Sequence, residues 1–166
     1  MFYLVRHGEA NYSEKGSKIF KGYGENFAPL TDKGINQAKE LAKDLRLRNS
    51  DIIISSPYTR AVQTAAILSK ELCIDIIIET NLYEWLADKN FNCLNTDMTE
   101  KYFKEFINCN GDYPNGVKRS WEDNLGLKKR LLESLEKYKS FSKVIVVTHG
   151  FLIHSVFQDR WLEILK

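Results

Sequence analysis

The sequence predicts an α/β fold built on a parallel sheet, and three observations carry that reading. Four short runs, Phe2 to Val5, Ile52 to Ile54, Ile76 to Ile78 and Val144 to Val147, are nearly continuous aliphatic or β-branched stretches without polar alternation. That is the pattern of strands buried on both faces. Segments of helical periodicity lie between them, as crossover connections require. Each run also ends in chemically capable residues: Arg6-His7, Ser55 to Arg60, Glu79 and then Glu84, and Thr148-His149-Gly150. In open α/β sheets the ligand crevice lies outside the carboxyl ends of the strands, so these groups are expected at one edge.

The elements follow in order. Phe2 to Val5 is the first strand and runs straight into Arg6-His7-Gly8-Glu9. Thr31 is an N-cap with Asp32 in the first turn, and Ile35, Ala38, Leu41, Ala42 and Leu45 recur on one face of a helix ending near Arg48. After the second strand, Ser56-Pro57 opens a helix carried to Leu72 by Val62, Ala65, Ala66 and Ser69, with Arg60 in its first turn. The third strand leads to Glu79 and Glu84. Met98, Tyr102, Phe103, Phe106 and Ile107 suit a shorter helix. Ser120-x-x-Asp123 resembles a capping box for a helix with Leu127, Leu131, Leu135 and Tyr138 inward. The last strand passes through His149-Gly150 into a helix over Phe151 to Phe157.

At 166 residues the chain is expected to form one domain, residues 1–166, large enough to bury about two-thirds of its unfolded surface. Two stretches break the alternation: 10–29, polar and basic with Lys15, Lys18 and Lys21, and 85–119. Long connections in compact domains are often functional, and both leave the active edge, so they are expected to be lids over the site. Interspersed charges with a net of +2 argue against nucleic acid or a membrane surface as partner. Cys73, Cys93 and Cys109 are odd in number and lack CxxC spacing, which fits reduced thiols. No apolar run approaches a signal-peptide core or a membrane span, so a cytoplasmic protein is expected.

Arg6, His7, Arg60, His149 and a carboxylate together suit one chemistry. Arginine recognises phosphate bidentately, and two of them with a histidine would surround a tetrahedral dianion. A neutral imidazole held on one ring nitrogen attacks phosphorus with the other, while a carboxylic acid protonates the departing oxygen. The clamp takes the charge-neutralising role that magnesium has elsewhere, so neither metal nor other cofactor is expected. Glu79, Glu84 and Asp88 compete for the acid position on residue type alone. His154 is expected to be structural, Trp85 and Trp121 core or rim, and the three lysines a solvated loop.

Arg6-His7-Gly8-Glu9, Leu30-Thr31-x-x-Gly34-x-x-Gln37-Ala38, Ser56-Pro57-x-x-Arg60-Ala61-x-Gln63-Thr64-Ala65, Leu82-x-Glu84 and Val147-Thr148-His149-Gly150 stand in sequence. In this combination and order they resemble the successive motifs of the histidine phosphatase superfamily, the phosphoglycerate-mutase-like proteins. The resemblance implies a three-layer α/β/α sandwich with a mostly parallel sheet. It implies His7 as the phosphorylated nucleophile, Arg6, Arg60 and His149 as the phosphate pocket, and Glu84 as the acid and then the base that activates water. Where many members carry an asparagine six positions after the nucleophile this chain has Ser13, with Asn11 nearby as a substitute, so both join the candidate pocket.

Other departures bear on the reaction. The family's Gly-Glu-Ser appears as Lys118-Arg119-Ser120, and Trp85-Leu86-Ala87-Asp88 lacks the Glu-Arg-His-Tyr-Gly type of segment associated with phosphoglycerate mutases. The missing segment and the short chain favour a phosphatase over a mutase. The leading expectation is a phosphomonoester hydrolase working through phospho-His7 on a phosphorylated small molecule, with a phosphoprotein the other candidate substrate. A phosphomutase is the rival, its second anion site drawn from the basic residues at 15–21 and 118–119. A non-catalytic phospho-ligand-binding module is the third reading, and the sequence leaves oligomeric state open.

Overall fold

The computed structural model describes residues 1–13, 22–90, 92 and 96–157. Four strands, β1 (Phe2–Arg6), β2 (Ile52–Ser55), β3 (Ile76–Ile78) and β4 (Val144–Thr148), form one sheet in the order β1-β4-β2-β3, every pairing parallel. The register aligns Arg6 with Thr148 and Ser55 with Val147. His7, His149 and Ser56 therefore leave three adjacent strands at one level, and His7 N–H reaches Thr148 O at 3.0 Å.

Strand alternation divides the core. Val5, Ile53, Ile145 and Val147 pack against Ala61, Ala65 and Leu68 of α2 (Thr59–Leu72) and against Ala42 and Leu47, which follow α1 (Asp32–Leu41). Ile52, Ile54, Val144 and Val146 face the other way, onto Phe106 of α3 (Thr96–Asn108), Leu127 and Leu131 of α4 (Asn124–Glu136), and Leu152 of α5 (Gly150–His154). Helices on both faces of a parallel sheet make a three-layer α/β/α sandwich. Among the described residues no helix is long and apolar enough to cross a membrane.

Several boundaries differ from the sequence reading, each for a visible reason. α1 ends at Leu41 rather than near Arg48, because the Asp44 carboxylate caps a separate turn over Leu45–Leu47 by accepting Arg46 N–H at 2.9 Å. α2 begins at Thr59, two residues past Pro57, since the Ser56 hydroxyl is held by His149. Asp123, not Ser120, caps α4, accepting Gly126 N–H at 3.0 Å. Residues 120 to 122 stay out of the helix because they pair with another segment, Lys89 N to Ser120 O at 2.9 Å and Glu122 N to Leu86 O at 3.0 Å. α5 stops at His154. The run Ile76 to Ile78 is an edge strand rather than a fully buried one, with Ile77 39% and Ile78 45% exposed.

Both long connections carry local structure. A 3₁₀ turn over Gly22–Phe27 and an antiparallel bridge between Ala10 and Leu30 organise the first. The second contains α3 and a turn at Pro114–Gly116. Lys15, Lys18, Lys21 and Cys93 lie outside the described residues.

Candidate active site

The loop after β1 is fixed by the residues that follow it at a distance. Gly8 N–H donates to Thr64 Oγ1 (3.1 Å), Glu9 N–H to Gln37 Oε1 (2.8 Å), and Thr31 N–H to Glu9 O (2.9 Å). Gly34 sits so close that a Cβ there would lie 2.2 Å from Glu9 O, while one on Gly8 would lie 2.5 Å from Gly34 O. Both glycines are thus required by backbone approach. Gln63 Oε1 accepts Leu30 N–H at 2.7 Å. These side chains hold the loop in place.

That loop aims His7. Its Nδ1 lies 2.7 Å from the Gly8 carbonyl oxygen, which can only accept, so the proton sits on Nδ1 and the Nε2 lone pair faces outward. Arg60 Nε–H approaches Nε2 at 3.1 Å. Burial pulls the His7 pKa down to about 4; the Gly8 bond opposes this, and Arg60 and Arg6 add to it. The ring is therefore neutral near pH 7, the state a nucleophile needs.

His149 is completely buried, with its ring 5.0 Å from that of His7, edge to face. Its Nε2 lies 2.7 Å from Ser56 Oγ, which also accepts Tyr58 N–H at 3.3 Å. Burial holds its pKa well below the usual range, with Arg60 and His7 adding. Two buried nitrogens near the His7 ring, His149 Nδ1 and Arg60 Nη1, have no hydrogen-bond partner. The Arg60 nitrogen is a donor, and the His149 nitrogen donates in the tautomer where Ser56 Oγ–H donates to Nε2. The Arg60 guanidinium is 5% exposed and is oriented by Tyr58 and Tyr12, whose ring centres lie 5.1 and 5.9 Å from Cζ. Arg6 lies at the strand end and lines the same cavity.

This cavity holds about 630 Å³ and is lined by Arg6, His7, Tyr12, Arg60, Thr64 and Glu84, among others. The three carboxylates separate clearly. Glu79 is tied to Lys137 Nζ at 2.9 Å, Asn81 N and Tyr138 OH; burial would raise its pKa, and these partners together hold it low. Asp88 accepts Asn90 N and Asn92 N, both at 2.9 Å. Glu84 alone of the three lines the cavity; Oε1 accepts Trp85 N–H at 2.9 Å, and burial raises its pKa against the opposing pull of that bond, Arg60 and Arg6. A carboxyl with a raised pKa in one cavity with a neutral imidazole can give a proton while the ring nitrogen attacks.

The structure does not bring Asn11 and Ser13 into the cavity. Both are exposed, and the Asn11 side chain accepts Ser13 N–H at 2.9 Å. Tyr12 between them faces the cavity instead.

Sequence reasoning also missed what holds Glu84. Arg130 of α4, 9% exposed, is forked onto Glu122 (Nε to Oε1 2.9 Å, Nη2 to Oε2 2.8 Å) and donates through Nη1 to Asn81 O at 2.5 Å and Tyr83 O at 2.9 Å. Its Cζ stacks 3.8 Å from the Tyr83 ring centre. Thr148 Oγ1 donates to Leu82 O at 2.8 Å, and Trp85 Nε1 to Glu122 O at 2.8 Å. Arg130 stands on the buried face of α4 with Leu127, Leu131 and Ser134, and a charge on such a face is the signal that marks it. Arg119 is paired with Glu105 at 2.8 Å, and Trp121 is completely buried.

A family model described as "Histidine phosphatase superfamily (branch 1)" matches residues 2–163. The chain is 31% identical over 159 residues to "Putative phosphoserine phosphatase 2" of Hydrogenobacter thermophilus, covering 93% of this chain and 75% of that one. It is 29% identical to "Probable phosphoglycerate mutase GpmB" of Escherichia coli (O1:K1 / APEC), covering 91% and 70%. Bacillus stearothermophilus YhfR superposes with a TM-score of 0.70 at 23% identity, over 95% of this chain and 78% of that one, a likeness of fold.

Proposed function

This chain belongs to the histidine phosphatase superfamily, and on that premise we propose that it is a phosphomonoester hydrolase acting through a phosphohistidine on His7. One observation carries the reading: His7 Nε2, its lone pair set by the Gly8 carbonyl on Nδ1, shares a cavity with the raised-pKa carboxyl of Glu84.

The substrate phosphate is held by Arg6, Arg60 and the Nδ1–H of His149, with Arg60 turning its Nε–H from His7 to a phosphoryl oxygen. Nε2 attacks phosphorus, the bond to the ester oxygen breaks, and Glu84 gives its proton to that oxygen. The carboxylate then takes a proton from water as the water oxygen attacks the phosphohistidine, which restores both groups. Fixed guanidinium charge stabilises the equatorial oxygens in place of a metal. Asn11 and Ser13 take no part. The free, exposed Cys73 fits the reducing cytoplasm.

The mutase reading has one observation in its favour, the similarity to a protein so named. Against it, Arg119 is neutralised by Glu105, which removes one of the cations a second anion site would use. A screen of phosphomonoesters with and without chelator tests the proposal. Inorganic phosphate released at equal rates in both is expected; turnover that stops in chelator and returns with magnesium contradicts it, and phosphoglycerate isomerisation outrunning phosphate release establishes the mutase.

A further inference from the structure

A second cavity of about 540 Å³ opens beside the first and shares Tyr12, Arg60 and Glu84 with it. Because Glu84 lines both, this is a space into which the alcohol of a bound phosphomonoester can project. Its walls are unusual for a site acting on small polar esters. Tyr58, Trp85, Phe103 and Phe151 line it. Three of these rings brace one another: Phe103 and Phe151 lie 5.6 Å apart nearly perpendicular, Trp85 is 6.0 Å from Phe103, and Trp85 is 6.3 Å from Phe151. The bond from Trp85 to Glu122 O makes the corner rigid. Phe103 remains 38% exposed although it sits in this cluster, so a large apolar face is presented to the cavity rather than to the core.

Among the described residues lining this second cavity the charged ones are Arg60, which belongs to the proposed phosphate clamp, and Glu84 and Glu25. A flat ring entering it would meet four aromatic side chains.

We infer that the second cavity selects phosphomonoesters of ring-bearing alcohols over those of small ones. The inference rests on the phosphomonoesterase reading for its biological meaning. Its first test needs no catalysis: affinities of methylphosphonate and benzylphosphonate for the full chain, by calorimetry. Benzylphosphonate is expected to bind about 30-fold more tightly than methylphosphonate, the worth of burying one ring face. Phe103→Ala should cut the benzyl preference about tenfold, and Phe103→Leu, which keeps apolar bulk, by less.

Hydrolysis supplies the second arm. Phenethyl and ethyl phosphate have similar leaving groups, so a kcat/KM ratio near that of the phosphonates reports the cavity rather than the chemistry. Equal affinities for benzyl- and methylphosphonate, or a benzyl preference that Phe103→Ala leaves intact, overturn the inference. A ring preference in binding with no hydrolysis of any ester would instead overturn the proposed function and leave a ring-selective phosphate site.

Discussion

The floor of the site and its acid-bearing wall are built by opposite means. His7, Ser56 and His149 project from adjacent strands whose register is set by backbone hydrogen bonds, so their meeting follows from the sheet. Glu84 sits in an irregular stretch beyond β3, and its place depends on groups from far along the chain: the side chains of Arg130 and Thr148 and the carbonyl of Glu122. A position set by a strand end is robust to local change, while one set by a few buried side-chain bonds fails when one partner is lost. Nucleophile and acid should therefore respond to different mutations.

The severest break of this division is at the floor. His7→Ala should lower turnover of every phosphomonoester by at least about 10⁴-fold, since no other group can carry the phosphoryl; steady-state phosphate release checks it, and retained activity would mean another nucleophile. Next is the wall. Glu84→Gln should cost about 10² to 10⁴-fold on an alkyl phosphate in single turnover, and far less on p-nitrophenyl phosphate, whose leaving group needs no proton. Equal losses on both esters would remove the acid role.

Arg130→Gln sharpens the comparison, because Arg130 touches no reacting atom. Losing it strands the buried Glu122 and two carbonyls, with a stability cost of about 3 kcal/mol in urea unfolding. It should also reproduce the alkyl-over-aryl loss of Glu84→Gln at about tenfold, with the phosphonate affinity of the floor kept. A uniform loss on both esters would show Arg130 to be structural only.

The smallest effect is in pH. The His7 pKa is about 4 when folded and 6.5 otherwise, so the unfolded chain takes up the proton first as pH falls. Stability is whole above pH 6.5, declines between 6.5 and 4, and loses roughly 3 kcal/mol from this group by the bottom of that window. His149 acts in the same direction, and the raised pKa of Glu84 in the opposite one. Subtracting the unfolding curve of His7→Asn isolates the His7 share; parallel curves for the two proteins would place its folded pKa near the ordinary value.

The same division explains what could be read from the residues. The strands, Arg6, His7, Arg60 and His149 were legible because apolar runs mark the strands and the polar residues follow at once. Glu84 was legible only beside Glu79 and Asp88, since no local pattern says that Lys137 occupies one and that backbone amides occupy the other. Asn11 and Ser13 were chosen by position, from the asparagine that many family members carry six residues after the nucleophile. The loop's bridge to Leu30 and the bond between them turn Tyr12 inward instead. Helix starts at Ser56 and Ser120 were misplaced because tertiary partners claimed those segments, the hydroxyl of one and the backbone of the other.

The central claim is a covalent bond between His7 Nε2 and phosphorus. Rapid quench of the full chain with labelled benzyl phosphate, followed by peptide mass spectrometry under alkaline conditions that preserve phosphohistidine, tests it directly. The account predicts a stoichiometric, acid-labile phosphate on His7 that forms faster than phosphate is released and accumulates in Glu84→Gln supplied with p-nitrophenyl phosphate. Product formed in a single turnover with no phosphate on His7 at any time point, or with the label on another residue, would contradict it.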